Sequence, residues 1–145
     1  MTIHTAKTPD QFRHVYPVIR ELRPHLTEQR FIEQVERQAR EHGYILIYIE
    51  ESGRAVAAAG YRPTEMLHWS KVLYIDDLVT AESARGRGYA DHLFKYIEQQ
   101  ARERGLAAVH LDSGTHSGRW DAHRFYLKHG MNITSYHFVK DLKSK

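Results

Sequence analysis

Apolar positions along this chain change period several times, and each change marks an element. Ile3 to Ala6 reads as a first strand. Phe12, Val15, Ile19 and Leu22 then recur at helical spacing behind Thr8-Pro9-x-Gln11, an N-cap, a first-turn proline and a capping-box partner. Pro17 is expected to kink or divide that helix, and Pro24 to end it. Thr27 caps a second stripe, Phe31, Ile32, Val35 and Ala39, which Gly43 stops. Tyr44 to Glu50 reads as a strand, Ser52-Gly53 as its turn and Arg54 to Tyr61 as the hairpin partner. The run Ala57-Ala58-Ala59-Gly60 is small rather than β-branched, so it should lie beneath something bulky. Pro63 and Thr64 predict another turn before a strand from Lys71 to Val79.

Beyond a glycine-rich stretch, Ala90, Leu93, Phe94, Ile97 and Ala101 share one face of a helix over Asp91 to Arg104, and Gly105 stops it. Ala107 to Leu111 reads as a buried strand. A loop with Gly114 and Gly118 leads to a helix from Trp120 to His129, and Ile133 to Leu142 is expected to close the sheet. The order is β-α-α-β-β-β-α-β-α-β. It predicts an α/β fold with a mixed, mostly antiparallel central sheet and helices on both faces. With 145 residues and no linker, repeat or low-complexity segment, residues 1–145 read as a single domain.

Composition removes several function classes. The chain has no cysteine, which excludes disulfides, a thiolate zinc site and a cysteine nucleophile. Its 11 histidines fall in no His-Glu-x-x-His or comparable spacing, so no metal is expected. No run approaches the roughly 18 apolar residues of a membrane span. The opening Met1-Thr-Ile-His-Thr-Ala-Lys lacks a secretory pattern, and the cytoplasm is the expected compartment. The net charge of +3 comes from 21 scattered basic residues against 18 acidic ones, which argues against a nucleic-acid surface. A local positive patch suits a polyanionic ligand equally well. No Gly-x-Ser-x-Gly elbow exists for hydrolase chemistry.

The residues that carry chemistry begin at Arg85-Gly86-Arg87-Gly88-Tyr89-Ala90. A glycine-rich turn entering a helix exposes backbone N–H groups without intrahelical partners, at the positive end of the helix dipole. Such a turn binds anions, and Arg85 and Arg87 add formal charge. The expected ligand group is a pyrophosphate. A P-loop would need Lys-Ser or Lys-Thr after the second glycine, where this chain has Tyr89 and Ala90. A dinucleotide fingerprint would place Asp91 where a small residue must pack, with Asp112 as the ribose-binding acid. Too little chain follows Asp112 for the remainder of that fold.

Arg85-x-x-Gly88-x-Ala90 resembles the Gln/Arg-x-x-Gly-x-Gly/Ala signature of the GNAT N-acetyltransferases, which holds the pyrophosphate of acetyl-coenzyme A. The segment Ala122-His-Arg-Phe-Tyr126-Leu-Lys-His-Gly130-Met131 is similar to the family's Ala-x-x-Phe-Tyr-x-x-x-Gly-Phe, with Met131 in place of the usual phenylalanine. The resemblance is strongest over residues 70–135. It implies the GNAT fold, with the cofactor in a splay between the fourth and fifth strands. It also implies transfer of acetyl from acetyl-CoA to a primary amine of a small molecule or protein. With no cysteine to carry an acyl group, direct attack in a ternary complex is expected. A non-catalytic acyl-CoA-binding or sensing module is the alternative, because fold does not fix function. Family analogy also admits a homodimer.

By the resemblance, Arg85, Gly86, Arg87, Gly88, Tyr89 and Ala90 hold the cofactor, and the backbone of Leu78 and Val79 pairs with its pantetheine arm. Ser113 and His123 are further cofactor candidates. Tyr126 takes the position of the leaving-group acid, and a phenol with an ordinary pKa near 10 can donate to a departing thiolate. Asp76 and Asp77 are candidates for the base, with water as the alternative. As neighbours on a strand they should point to opposite faces, Asp77 sharing its face with Leu73. Some relatives keep a glutamate base at the position of Leu73. The competing reading pairs both aspartates with arginines that hold the strand end. Glu21-Leu-Arg-Pro-His25, between the first two helices, and Tyr61-Arg62 with His68-Trp69 are the expected acceptor-binding segments, with Glu21 placed to attract a cationic amine.

Overall fold

Helices form where the capping chemistry places them. In the computed structural model, which describes residues 1–143, α1 (Pro9–Leu22) starts at Thr8. The Thr8 hydroxyl accepts from the Gln11 N–H, and the Gln11 side chain accepts from the Thr8 N–H. Pro17 does not divide α1, which runs unbroken through it. A proline removes a single N–H. Buried Val15, Val18 and Ile19 around it hold the helix to the sheet, and such packing supplies most helical stability. The helix α2 (Glu28–His42) starts at Thr27, whose hydroxyl accepts from the Arg30 N–H, and ends at left-handed Gly43.

Five strands lie side by side in chain order: β1 (His4–Ala6), β2 (Ile45–Glu51), β3 (Arg54–Met66), β4 (Ser70–Thr80) and β5 (Val109–Leu111). The first three junctions are antiparallel and β4–β5 is parallel, the crossover being made through α3 (Tyr89–Glu103). The turn expected at Pro63 is absent. Pro63 pairs with Leu73 and Thr64 with Val72, and the chain reverses at residues 67–69. Pairing with β2 stops at Tyr61, so this outer stretch of β3 has a neighbour on one side only, the setting in which a strand tolerates proline.

The alanine run is buried at the centre of the sheet, and its bulky neighbour is Tyr44. A Cβ at Gly60 would overlap the Tyr44 ring and hydroxyl. Helices cover both faces. Tyr61 lies beneath α3, within electrostatic reach of Tyr96 and Arg104. Gly60, the next residue on β3, faces the opposite side, where α1 and α2 pack.

Residues from Met1 to Leu111 form one compact unit and those from Asp112 onward a second. In the second, a 3-10 turn at Ser117–Arg119 leads into α4 (Trp120–Lys128). The closing strand expected at Ile133 to Leu142 is not formed, and Ile133, Tyr136, Phe138, Val139 and Leu142 are exposed. A strand is stabilised by a paired neighbour and a period of two. Here the apolar residues are split between odd and even positions, so neither face is continuous. Among the described residues no helix is long and apolar enough to cross a membrane. None of their His, Asp and Glu side chains form a group of three or more able to hold a metal ion.

Candidate active site

The glycine turn is built as an anion site. Gly86 and Gly88 have φ of 80° and 84°, and Gly88 is the N-cap of α3. A Cβ at either position would meet nothing within 4 Å, so the left-handed backbone, rather than crowding by the protein, demands glycine there. No side chain among the described residues caps α3, which leaves its first-turn N–H groups without a capping partner. Arg85 is exposed, with no ion-pair partner among the described residues. Arg87 and Tyr89 are engaged: the Arg87 guanidinium reaches both Glu51 oxygens at 3.1 Å, and the Tyr89 hydroxyl donates to the same carboxylate. The Tyr89 ring is buried, while Ala90 is half-buried in the first turn.

The strand leading to this turn loses its neighbour at the right place. β5 pairs with β4 only at Leu73, Tyr74 and Ile75. From Asp76 to Thr80, β4 continues along β3, with Leu78 opposite Ala59 and Val79 opposite Ala58. Among the described residues no strand pairs with its other edge there. An open edge of this kind accepts an extended ligand as an added strand.

A β-bulge reorganises the two aspartates. Tyr61 pairs with Ile75 and Gly60 with Asp77, so Asp76 is an extra residue on β4. Asp77 therefore lies on the Gly60 side, away from Leu73 and Ile75, and the expectation of opposite faces for the two carboxylates fails. Both are paired with arginines. The Arg62 Nε donates to Asp76 at 3.0 Å, and the Arg62 guanidinium stacks 5.1 Å from the Tyr74 ring centre. Arg23, at the C-cap of α1, donates through Nε to Asp77 Oδ1 at 2.9 Å and through Nη2 to the Asp76 carbonyl at 2.9 Å. The Tyr44 hydroxyl donates to Asp77 Oδ2 at 2.7 Å. Burial pushes the Asp76 carboxyl above the usual carboxylate range, with Arg62 opposing. Burial and the Asp77 charge hold the Tyr44 phenol well above its ordinary value, so it remains a donor.

The expected acceptor residues are dispersed. Glu21 accepts from the Glu82 N–H at 2.8 Å and so ties α1 to the loop after β4. Tyr61 is buried under α3, its phenol pushed up to about 12 chiefly by burial. The Trp69 ring lies 4.1 Å from that of His110, at the hairpin reversal. A cavity of about 300 Å³ opens between α1, α2 and β4, bordered by Arg23 and His25 of the expected Glu21–His25 segment and by Phe31, Gln38, Tyr44 and Asp77. Arg23 and Arg62 lie in the expected acceptor segments but serve here as the partners of Asp77 and Asp76, whereas Tyr44 and Glu51 are site residues that sequence reasoning did not single out. Only the Ala57–Gly60 run signalled one of them, through the space it leaves for Tyr44.

In the second unit, His123 Nε2 lies 2.7 Å from the Gly114 carbonyl, which places the imidazole proton on that nitrogen. It steadies the loop that carries Ser113. The Ser113 hydroxyl oxygen is out of reach of solvent and has no partner among the described residues. Tyr126 lies one turn beyond His123 on α4, half-buried, its ring edge-on to Phe125 at 5.8 Å.

A family model for the acetyltransferase (GNAT) family matches residues 9–131. The chain belongs to that family. It is 36% identical over 132 residues to YhdJ of Bacillus subtilis, named as an uncharacterized N-acetyltransferase, spanning 90% of this chain and 92% of that protein. It is 35% identical over 68 residues to the aminoalkylphosphonate N-acetyltransferase of Salmonella typhimurium, spanning 47% of this chain and 43% of the relative. The aminoglycoside N-acetyltransferase AAC(6')-Iy, solved with the bisubstrate analogue CoA-S-monomethyl-acetylneamine, superposes with a TM-score of 0.82 over 99% of this chain and 98% of its own. At 14% identity that likeness is one of fold.

The GNAT family uses acetyl-CoA, and the residues present here fit it. Left-handed Gly86 and Gly88, the uncapped head of α3 and the exposed Arg85 suit a diphosphate. The open edge of β4 suits the pantetheine arm.

Proposed function

We propose that this GNAT acetyltransferase moves an acetyl group from acetyl-CoA to a primary amine by direct attack in a ternary complex. One observation carries the reading: β4 leaves β5 after Ile75 and runs, open-edged, toward the uncapped glycine head of α3. Arg85 and the backbone of Gly86 to Ala90 hold the diphosphate, and the main chain at Leu78 and Val79 aligns the thioester arm. Bound there, acetyl-CoA supplies an activated acyl carbon. The amine lone pair forms the new C–N bond and the C–S bond breaks. The ammonium proton passes to Asp76, directly or through water, and the thiolate takes a proton from Tyr126. Asp76 suits the base because its carboxyl is raised above the usual range. Asp77, tied to Arg23 on α1 and to the Tyr44 hydroxyl, holds the bulge. Tyr126 is assigned by its place in the family segment.

The acceptor enters the cavity between α1, α2 and β4. Its volume suits a small molecule or one side chain, and its border mixes the Arg23–Asp77 pair with His25, Gln34 and Gln38, a polar lining that suits an amine bearing further polar groups. The similarity to an aminoalkylphosphonate N-acetyltransferase agrees with that class. Release of free thiol from acetyl-CoA, measured against aminoalkylphosphonates, amino acids, amino sugars, polyamines and peptides, tests the reading. Turnover with an amine bearing further polar groups supports it. Tight acetyl-CoA binding without thiol release from any class overturns the transfer reaction.

A further inference from the structure

The diphosphate cradle contains two glycines in the left-handed region, and glycine gives up more backbone freedom on ordering than any other residue. A loop of this composition needs an external tether to hold one shape. The tether visible here comes from neither of the two family segments. Glu51, the last residue of β2, receives the Arg87 guanidinium on both carboxylate oxygens at 3.1 Å and the Tyr89 hydroxyl on one of them. Arg87 and Tyr89 flank Gly88, the N-cap of α3. One carboxylate therefore grips the chain on both sides of the residue where the backbone turns into the helix.

We propose that Glu51 is a positioning residue for cofactor binding: it fixes the Gly86–Ala90 backbone in its anion-binding shape before the cofactor arrives. This rests on the reading of that turn as the acetyl-CoA site. Two details favour positioning over competition with the diphosphate. Arg85 remains exposed and available for the ligand, and the α3 N–H groups are left uncapped, so Glu51 consumes only side chains that flank the cradle. The Tyr89 ring is also buried, so the hydroxyl tether and the packing fix the same residue. A loop ordered in advance loses less entropy when the ligand binds.

The test has one readout that needs no cofactor and one that does. Amide hydrogen exchange in the ligand-free chain should quicken about tenfold at His92 to Lys95, the first amides of α3 that are hydrogen-bonded within the helix, in Glu51→Ala, while the core of β3 stays protected. Acetyl-CoA binding by calorimetry should weaken about tenfold in Glu51→Ala and less in Glu51→Gln, which keeps an acceptor for Tyr89. With a productive amine, KM for acetyl-CoA should rise while kcat changes less than about twofold. Unchanged exchange and unchanged affinity in both variants would overturn the proposal. Tighter binding would also overturn it, because Glu51 would then be a rival of the diphosphate for Arg87. Faster exchange in a chain whose native form binds no acetyl-CoA would uphold the tether and sink the cofactor reading instead.

Discussion

Asp76 and Asp77 are adjacent in the chain, yet a single inserted residue on β4 gives them separate arginines on one side of the sheet. If Asp76 is the base, kcat/KM falls as pH drops through its folded pKa, because only the carboxylate accepts a proton. That limb should lie above the ordinary carboxylate range, since burial raises the group. Arg62 opposes the rise, so Arg62→Gln should move the limb to higher pH; a limb that stays in place would remove Asp76 from the role. Tyr126→Phe should lower kcat about a hundredfold while leaving acetyl-CoA affinity within about twofold. Equal activity in the two proteins would mean that another group protonates the thiolate. Gly60→Ala forces a methyl group into the Tyr44 side chain, and urea denaturation should show a loss of about 2 kcal/mol. In a Tyr44→Ala background the same change should cost less than half as much. The pairing of both aspartates with arginines was the competing reading of the sequence, and it holds; the Tyr44 partner and the shared face were not legible. Strand alternation assumes an unbroken register, and the bulge that breaks it depends on the pairing of β3 with β4.

Local chemistry announces some elements, while distant partners decide others. Both capped helix starts and the glycine head of α3 were legible, because caps and left-handed turns are fixed by residues within one turn of each other. The reach of β3 through Pro63 was not, because it depends on where β2 stops. The expected strand over Ile133 to Leu142 failed for a related reason, its apolar residues holding neither one face nor a partner. At the head of α3 the two roles of Gly88 separate experimentally. Gly88→Ala meets no obstruction but must adopt φ near 84°, so it should destabilise the fold by about 1 kcal/mol in urea titration. If Gly88→Ala were as stable as the native chain, the left-handed cap would not be what selects glycine.

For the whole molecule, family membership follows from the match over residues 9–131, and the order of elements agrees with it. The two quoted segments carried that membership in the sequence because they hold the residues that would touch the cofactor. The acceptor site was the least legible part. Its cavity is assembled from α1, α2 and β4, which are distant in the chain; the expected Glu21–His25 segment reaches it through Arg23 and His25, while Glu21, Tyr61 and Trp69 are held by other contacts. The central claim is that the glycine head of α3 holds the diphosphate of acetyl-CoA. Calorimetric titration of acetyl-CoA into the native chain and into Gly88→Glu tests it most directly, because glutamate there places a negative charge where the phosphates would lie. The account predicts micromolar binding by the native chain, about −8 kcal/mol, and none measurable in the variant. Equal binding by both proteins, or none by the native chain, would contradict it.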